Sequence, residues 1–375
     1  MSESALAGAR IVTPDGVLSG GWLRVRGARI AEVAHGPAPG SALELAGGYL
    51  VPGFIDLHVH GGGGHDFTDS ADDLAAGIAY HQARGTTRTL VSLMAASLDA
   101  MCEQLGWVAA LARGGAGQIA GAHLEGPFLA AARCGAQNGA HLQLPDRQVM
   151  AKLVEAGQGY VRTVTVAPEL PGALAVISDL VEAGVVAAIG HTDASYEQAA
   201  AGFAAGATLT THLFNAMSPV DHRKPGAAIA ALDSGVAFEL INDGVHVHAA
   251  MVGLAARCAG ANLVLVTDAI SATGMGDGRY VLGGLPVTVR DGRARSTGTG
   301  RLAGSTLTMD EALRRTVQEI GLPIEVAAAA AATNPARVLG LAAECGSIAA
   351  GLAADLVHLD DQLRVLRVMV AGRWL

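Results

Sequence analysis

From about residue 53 onward the sequence repeats one grammar. A short β-rich apolar run is followed by a polar or Gly-containing break and then by an alanine-rich segment with helical spacing. The strand-like runs are GFIDLHVH (53–60), TTRTLVSLM (86–94), QIAGAHLEG (118–126), YVRTVTVAPE (160–169), VVAAIGH (185–191), ATLTTHLF (207–214), VAFELIND (236–243) and NLVLVTDA (262–269). Between them lie segments such as ADDLAAGIAYHQARG, ALAVISDLVEAG and YEQAAAGFAAG, each able to form a helix ended by glycine. Strands alternating with helices make a parallel sheet covered on both faces. A count of eight favours closure into a (β/α)8, TIM-like barrel over an open doubly wound sheet, so the expected fold class is α/β.

The two ends break this pattern. GARIVTPDG and GWLRVRGARIAEVA near the start, and ADLVHLD and LRVLRVMVAG near the end, alternate as antiparallel hairpins do. Both flanks look alike and the barrel lies between them. The expectation is a small β-sandwich domain built from residues 1–52 and 341–375, around a barrel domain of residues 53–340. A Gly-rich stretch at 278–305 follows the eighth run and reads as a hairpin.

Composition limits the function classes. The chain has 375 residues, 51% hydrophobic and 16% charged, enough apolar material for a large core and too little charge for disorder. A net charge of −9 leaves no basic footprint, so nucleic acid is not an expected partner. The opening MSESALAGARIVTPDG lacks a basic start followed by a long apolar run, and no apolar stretch suggests a membrane span. Cys102, Cys134, Cys258 and Cys345 are widely spaced and read as reduced cysteines of a cytoplasmic protein.

The polar residues then fall at one end of the barrel. His58 and His60 close the first run, Glu125 the third, His191 the fifth and Asp268 the eighth, with His212 near the end of the sixth. Any one of these histidines alone reads more simply as a satisfied core or surface side chain. Six ligand-type residues together at strand C-termini, the face that carries the active site in such barrels, are not explained by packing. His58 and His60 are two apart on a strand, so both rings point the same way from positions roughly 6.6 Å apart. Imidazoles and a carboxylate from separate strands suit zinc or a similar divalent transition metal, with one or two ions per subunit. Glu125 could bridge two ions, with His58 and His60 on one and His191 and His212 on the other. Such an ion lowers the pKa of bound water from about 15.7 toward about 7. Asp268 is then placed to accept that water's proton and pass it to a leaving amine. The set spells out metal-assisted hydrolysis.

His35, His81, His222, His248 and His358 are expected to be structural or solvent-exposed and His123 to pack in or buttress the site, while His65 and His141 fall in loops. Gly61–Gly64 lack the G-K-[ST] ending of a phosphate loop and read as a flexible loop giving room near the metals.

The pattern of H-V-H on the first strand, Glu on the third, His on the fifth and sixth and Asp on the eighth, with a β-domain from both termini, resembles the amidohydrolase superfamily. HLEGPFL (123–129), GHTDA (190–194), THLFNAMSP (211–219), VTDAISATG (266–274), AGSTLTMD (303–310) and NPARVLGL (334–341) are similar to the N-acetylglucosamine-6-phosphate deacetylase branch, over nearly the whole chain. Many two-metal relatives use a carboxylated lysine on strand four. This chain has only Lys152 and Lys224, neither in YVRTVTVAPE, so Glu125 must supply any bridge. The resemblance implies deacetylation of a 6-phosphorylated N-acetylhexosamine. It implies phosphate contacts from His246 and from Arg223, the latter reaching in from the neighbouring subunit of a homodimer. It also implies substrate contacts from Asn215 and Ala216. Gln137 falls where several relatives carry a histidine that polarises the acetyl carbonyl, which implies a substrate contact in which either its amide N–H donates there or a second ion does that work as a Lewis acid. Enzymes for the galactosamine epimer or for cyclic amides would share the metal set and differ in the phosphate contacts, and a non-enzymatic protein on the same barrel would have lost ligands or base.

Overall fold

The computed structural model describes residues 3–115 and 118–375, so the first two residues of the N-terminal stretch lie outside it. The eight expected runs form one parallel sheet in chain order: β1 (Phe54–Val59), β2 (Thr86–Met94), β3 (Ile119–Glu125), β4 (Val161–Val166), β5 (Val186–Ile189), β6 (Leu209–Thr210), β7 (Ala237–Ile241) and β8 (Leu263–Val266). The last strand returns to the first through a parallel bridge between Val59 and Ala269. Asp268 N–H donates to His58 O at 2.8 Å and His60 N–H to Ala269 O at 2.8 Å, which closes the barrel. The expected α/β barrel is therefore present.

β5 and β6 are shorter than the sequence suggested, for a local reason. His191 has φ 46° and His212 φ 29°, left-handed values that no strand accommodates, so each run stops as its histidine is reached. Asp268, just past β8, has φ 49°. Along β3 the side chains alternate. Leu124 joins the apolar layer with Leu105, Val108, Leu153 and Ile177, while Glu125 lies on the opposite, inward face. The helices start where the sequence provides caps. Asp146 accepts from the N–H groups of Gln148 and Val149, and Ser195 and Gln198 form a reciprocal capping box at the helix Tyr196–Ala204.

The terminal segments form two sheets. One is four-stranded, ordered Arg29–His35, Gly21–Arg26, Glu3–Ala7, Ala42–Glu44. The other is six-stranded, and in it Leu356–Leu359 pairs with Val365–Val370 on one side and Tyr49–Pro52 on the other, so both ends of the chain share one sheet. Leu6, Leu23, Val25 and Ile30 of the first sheet share a core with Ile11, Leu50, Leu356 and Met369 of the second. The compact unit around these sheets comprises Met1–Asp56, His81–Arg88 and Thr308–Leu375, and thus takes in more than residues 1–52 and 341–375. The other unit comprises Leu57–Tyr80 and Thr89–Leu307.

Two loop expectations are corrected. The stretch after β8 is a three-stranded antiparallel sheet, Gly278–Leu282, Leu285–Arg290 and Arg293–Ser296, one strand more than a hairpin. Its Leu282, Val287, Val289 and Ala294 pack with Met94 and Ile270, because the strands alternate apolar and polar residues. Gly61–Gly64 is not a slack loop. Gly61–Gly62 pair with His65–Asp66, and the N–H groups of Gly61, Gly63 and Gly64 donate to the carbonyls of Ala269, Thr273 and Ser271 at 3.1, 2.9 and 2.8 Å. Those donors are spent within the fold, so the glycines are no anion cradle. Among the described residues no helix is long and apolar enough to cross a membrane.

The capping box gives a direct test of the helix after β5. Ser195→Ala removes the side-chain acceptor for Gln198 N–H, and chemical denaturation should show a loss of about 1 kcal/mol with an unchanged denaturant slope.

Candidate active site at the barrel mouth

Four imidazoles converge on one carboxylate. His191 Nε2 lies 2.9 Å and His212 Nε2 3.2 Å from Glu125 Oε1, with His58 Nε2 at 3.3 Å. His60 Nε2 lies 3.4 Å from Glu125 Oε2. The nitrogens also approach one another, His58 Nε2 to His60 Nε2 at 3.1 Å and His191 Nε2 to His212 Nε2 at 3.0 Å. All five side chains are buried.

The outer nitrogens explain the arrangement. His58 Nδ1 donates to Glu239 Oε2 at 3.0 Å, His60 Nδ1 to Ser92 O at 3.2 Å and His191 Nδ1 to Arg133 O at 2.8 Å. Each of these bonds fixes the tautomer that leaves an Nε2 lone pair aimed at the centre. Lone pairs about 3 Å from each other and from a carboxylate repel unless a cation or protons lie between them. Two overlapping triads, His58, His60, Glu125 and Glu125, His191, His212, bring their ligand atoms within 4.8 Å of one another. The donor set is that of a nitrogen- and oxygen-binding divalent ion, so the residues fit a metal.

The same crowding sets the charges. Burial alone would lower His58 and His60, but the carboxylates of Glu125 and Asp268 outweigh it, with Glu239 adding to the effect on His58. His58 is raised well above its ordinary value and His60 to about 9. Burial would raise Glu125, yet His58, His191 and His212 hold it well below the usual carboxylate range. Asp268, with Oδ1 3.3 Å from His60 Nε2 and 3.6 Å from His58 Nε2, is likewise pulled against burial down to about 2. A carboxyl that low is ionised throughout the neutral range and can act as a base. His123 is driven well below its ordinary value by burial and by His58, and bridges Ser92 Oγ at 2.9 Å and Thr165 Oγ1 at 2.8 Å. Its ring packs edge-on to His58 at 4.7 Å, the expected buttress.

His60, Glu125, His191, His212 and Asp268 line a cavity of about 400 Å³, within the range of small-molecule sites, while His58 is fully buried outside that lining. His246 is in its wall, its Nδ1 bonded to Asp243 Oδ2 at 2.7 Å. Burial opposes a proton there, but the bond to Asp243 and its charge raise the His246 pKa, which favours the imidazolium form.

The family model for the amidohydrolase family matches residues 49–375. The chain belongs to the amidohydrolase family. It is 38% identical over 372 residues to an N-acetylgalactosamine-6-phosphate deacetylase of Escherichia coli O157:H7, covering 98% of each chain. It is 36% identical over 362 residues to an N-acetylglucosamine-6-phosphate deacetylase of Lysinibacillus sphaericus, covering 92% of this chain and 90% of the relative. A solved structure of N-acetyl-D-glucosamine-6-phosphate deacetylase from Mycobacterium smegmatis, an aspartate-to-alanine mutant in complex with N-acetyl-D-glucosamine-6-phosphate, superposes with a TM-score of 0.96. Its identity is 44%, with 100% of this chain and 99% of that one covered.

In this amidohydrolase the structure brings together His58, His60, Glu125, His191, His212 and Asp268, with His246, Asn215 and Ala216 in the cavity wall. Gln137 lies beside Glu125. Its Nε2 donates to Glu125 Oε2 at 2.6 Å and its Oε1 accepts from Ala95 N–H at 2.9 Å. Its amide thus holds the shared carboxylate, and Gln137 is not among the residues lining the cavity. Arg223 is exposed and also outside that lining. Sequence reasoning missed Glu239, Asp243 and the rim residues Met94, Leu282 and Arg301. The first two carried a signal, a carboxylate inside an apolar strand and one three residues before His246. The rim residues carried none, because their side chains meet the cavity only once the inserted sheet folds back.

His60, raised to about 9, holds a proton at pH 7 in the metal-free protein, and a divalent ion must displace it. Affinity for the ion should therefore rise from pH 7 to about 9, by about tenfold per unit for each proton released. Calorimetry in buffers of different ionisation enthalpy should detect proton release at pH 7. An affinity independent of pH would contradict the charge distribution described here.

Proposed function

We propose that this amidohydrolase removes the acetyl group from N-acetyl-D-glucosamine 6-phosphate, giving acetate and glucosamine 6-phosphate, as a step in amino-sugar catabolism and recycling. The observation that carries the reading is a single cavity lined by Glu125, three of the four converging imidazoles, Asp268 and a carboxylate-backed His246. Hydrolytic chemistry and an anion-holding group share one small site. The relatives' names support the same substrate class.

We assign His58, His60 and Glu125 to one zinc ion and Glu125, His191 and His212 to a second. Zinc bound there supplies a nucleophile near neutral pH and a Lewis acid for the acetyl carbonyl. Asp268 takes the proton from the attacking water and hands it to the sugar nitrogen as the carbon–nitrogen bond breaks, so water and amide become acetate and amine. Gln137 keeps Glu125 oriented. Asn215 and Ala216 contact the sugar. His246 holds the phosphate with Arg223, whose exposure suits a guanidinium that serves the cavity of a neighbouring copy in a homodimer. The four free cysteines fit a cytoplasmic enzyme. The 38% identity to the Escherichia coli relative keeps the galactosamine epimer as a second reading.

Acetate release from both N-acetylhexosamine 6-phosphates and from the unphosphorylated sugars decides the substrate. The glucosamine epimer should be preferred and the unphosphorylated sugars poor. No activity on either phosphorylated sugar with metal loaded would overturn the proposal.

Asp268→Asn should retain metal by elemental analysis and lose roughly 10²–10⁴-fold in kcat. Because His246 is raised, its positive charge persists to higher pH than that of an ordinary imidazole and is lost as pH climbs past its pKa. KM for the phosphorylated sugar should rise over that range, and Asp243→Asn should move the rise to lower pH. Replacing Arg223 should raise KM for phosphorylated substrate only. Equal losses on unphosphorylated sugar would remove both residues from the phosphate site.

A further inference from the structure

Glu239 has no part in the chemistry above, yet it is a buried carboxylate, 1% exposed, between Phe238 and Leu240 on β7. A barrel strand would ordinarily carry an aliphatic residue there, since a charge taken out of water is costly unless paired. One of its oxygens has two partners. Oε2 accepts from His58 Nδ1–H at 3.0 Å and from the backbone N–H of His212 at 3.1 Å. The two histidines belong to different triads, His58 with His60 and His212 with His191, joined through Glu125.

The two contacts do different things. On His58 the carboxylate fixes the tautomer and directs the Nε2 lone pair inward. On His212 it acts through the backbone. His212 Nδ1 has no partner among the described residues, so the aim of this ring depends on its left-handed backbone, φ 29°. That backbone is clamped on one side by Glu239 and on the other by Asn215 N–H donating to His212 O at 2.9 Å. The neighbouring Leu213 N–H donates to Glu239 O at 2.8 Å, which ties the same turn to β7 a second time.

We infer that Glu239 is a positioning residue that couples the two metal half-sites, orienting a ligand of each through one carboxylate oxygen. The inference rests on the two-ion reading proposed above. A neutral acceptor would satisfy the His212 N–H equally well. A carboxylate is required only if His58 must be held as a strong, correctly oriented ligand, and this separates positioning from filling a hole in the core.

The test is cobalt(II) titration of the metal-free full-length protein without substrate, read by visible absorption for coordination and by elemental analysis for stoichiometry. Glu239→Gln keeps the shape and the acceptor but loses the charge, and should weaken cobalt binding about tenfold to a hundredfold. Glu239→Leu should weaken it further and alter the absorption of both ions. In a His60→Ala background, which isolates the Glu125, His191, His212 triad, Glu239→Leu should still weaken the remaining ion. Wild-type affinity and spectrum in both Glu239 variants would overturn the inference, as would an effect confined to the His58, His60 half-site. If Glu239→Leu does not fold, Glu239→Gln decides alone, an unchanged affinity counting against a positioning role. Failure of the wild-type protein to take up cobalt would instead refute the metal assignment itself.

Discussion

The site depends on an arrangement that is unfavourable in isolation, with four imidazole nitrogens pointed at one another and at a shared carboxylate in a buried floor. Nothing about that cluster favours folding by itself. Charged and lone-pair-bearing groups lose water and gain mutual repulsion until a cation or protons intervene. The rest of the barrel must impose it, and much of the surrounding hydrogen bonding serves this end. Ser92, Arg133 and Glu239 each accept an outer N–H, from His60, His191 and His58, which orients the inner nitrogens of three of the four rings, and the fourth, His212, is aimed by its clamped backbone.

The backbone bears a related cost. His191, His212 and Asp268 all adopt left-handed conformations, each costing of order 1–3 kcal/mol for a non-glycine residue. The offset lies in clamps at the same residues. His191 O accepts from Ala130 N–H at 2.9 Å. Asp268 donates to His58 O at 2.8 Å and accepts from Ser305 N–H at 2.7 Å. The bonds that close the barrel between β8 and β1 therefore also hold the proposed base against two of the proposed ligands. A change that loosened closure would misplace Asp268 before it unfolded the protein. Gly135, φ 60°, belongs to the same economy of space. A Cβ there would meet His191 Cε1 at 3.1 Å and sit on a left-handed backbone, so any other residue would press on the imidazole and strain the loop.

The parallel barrel was legible because its strands are apolar runs bounded by breaks and its helices carry caps, signals that act locally. The centre was legible because strand C-termini in such a barrel share one face whatever the packing details. What escaped was set by distances across the fold. Glu239 shows in the sequence only as a carboxylate inside the apolar run VAFELIND, and nothing local names its partners, which lie 181 and 27 residues away. The glycines after His60 looked slack in sequence because their carbonyl partners at 269–273 lie across the barrel seam. Gln137 looked like a substrate contact because its place in the chain matched one, whereas its hydrogen bonds go to Glu125 and Ala95.

Two carboxylates in one floor end with different duties because their surroundings differ. Glu125 is enclosed by four imidazoles and by the Gln137 amide. Both its oxygens are committed, and protonating either would disturb the contacts that oxygen makes. Asp268 meets only the His58, His60 side through one oxygen, at 3.3 and 3.6 Å, and also borders the cavity. Its contacts are longer and fewer, so it can gain and lose a proton without dismantling the centre. The geometry thus separates a carboxylate that must stay ionised to hold cations from one free to move a proton. That division is what hydrolysis at a metal centre requires of its carboxylates.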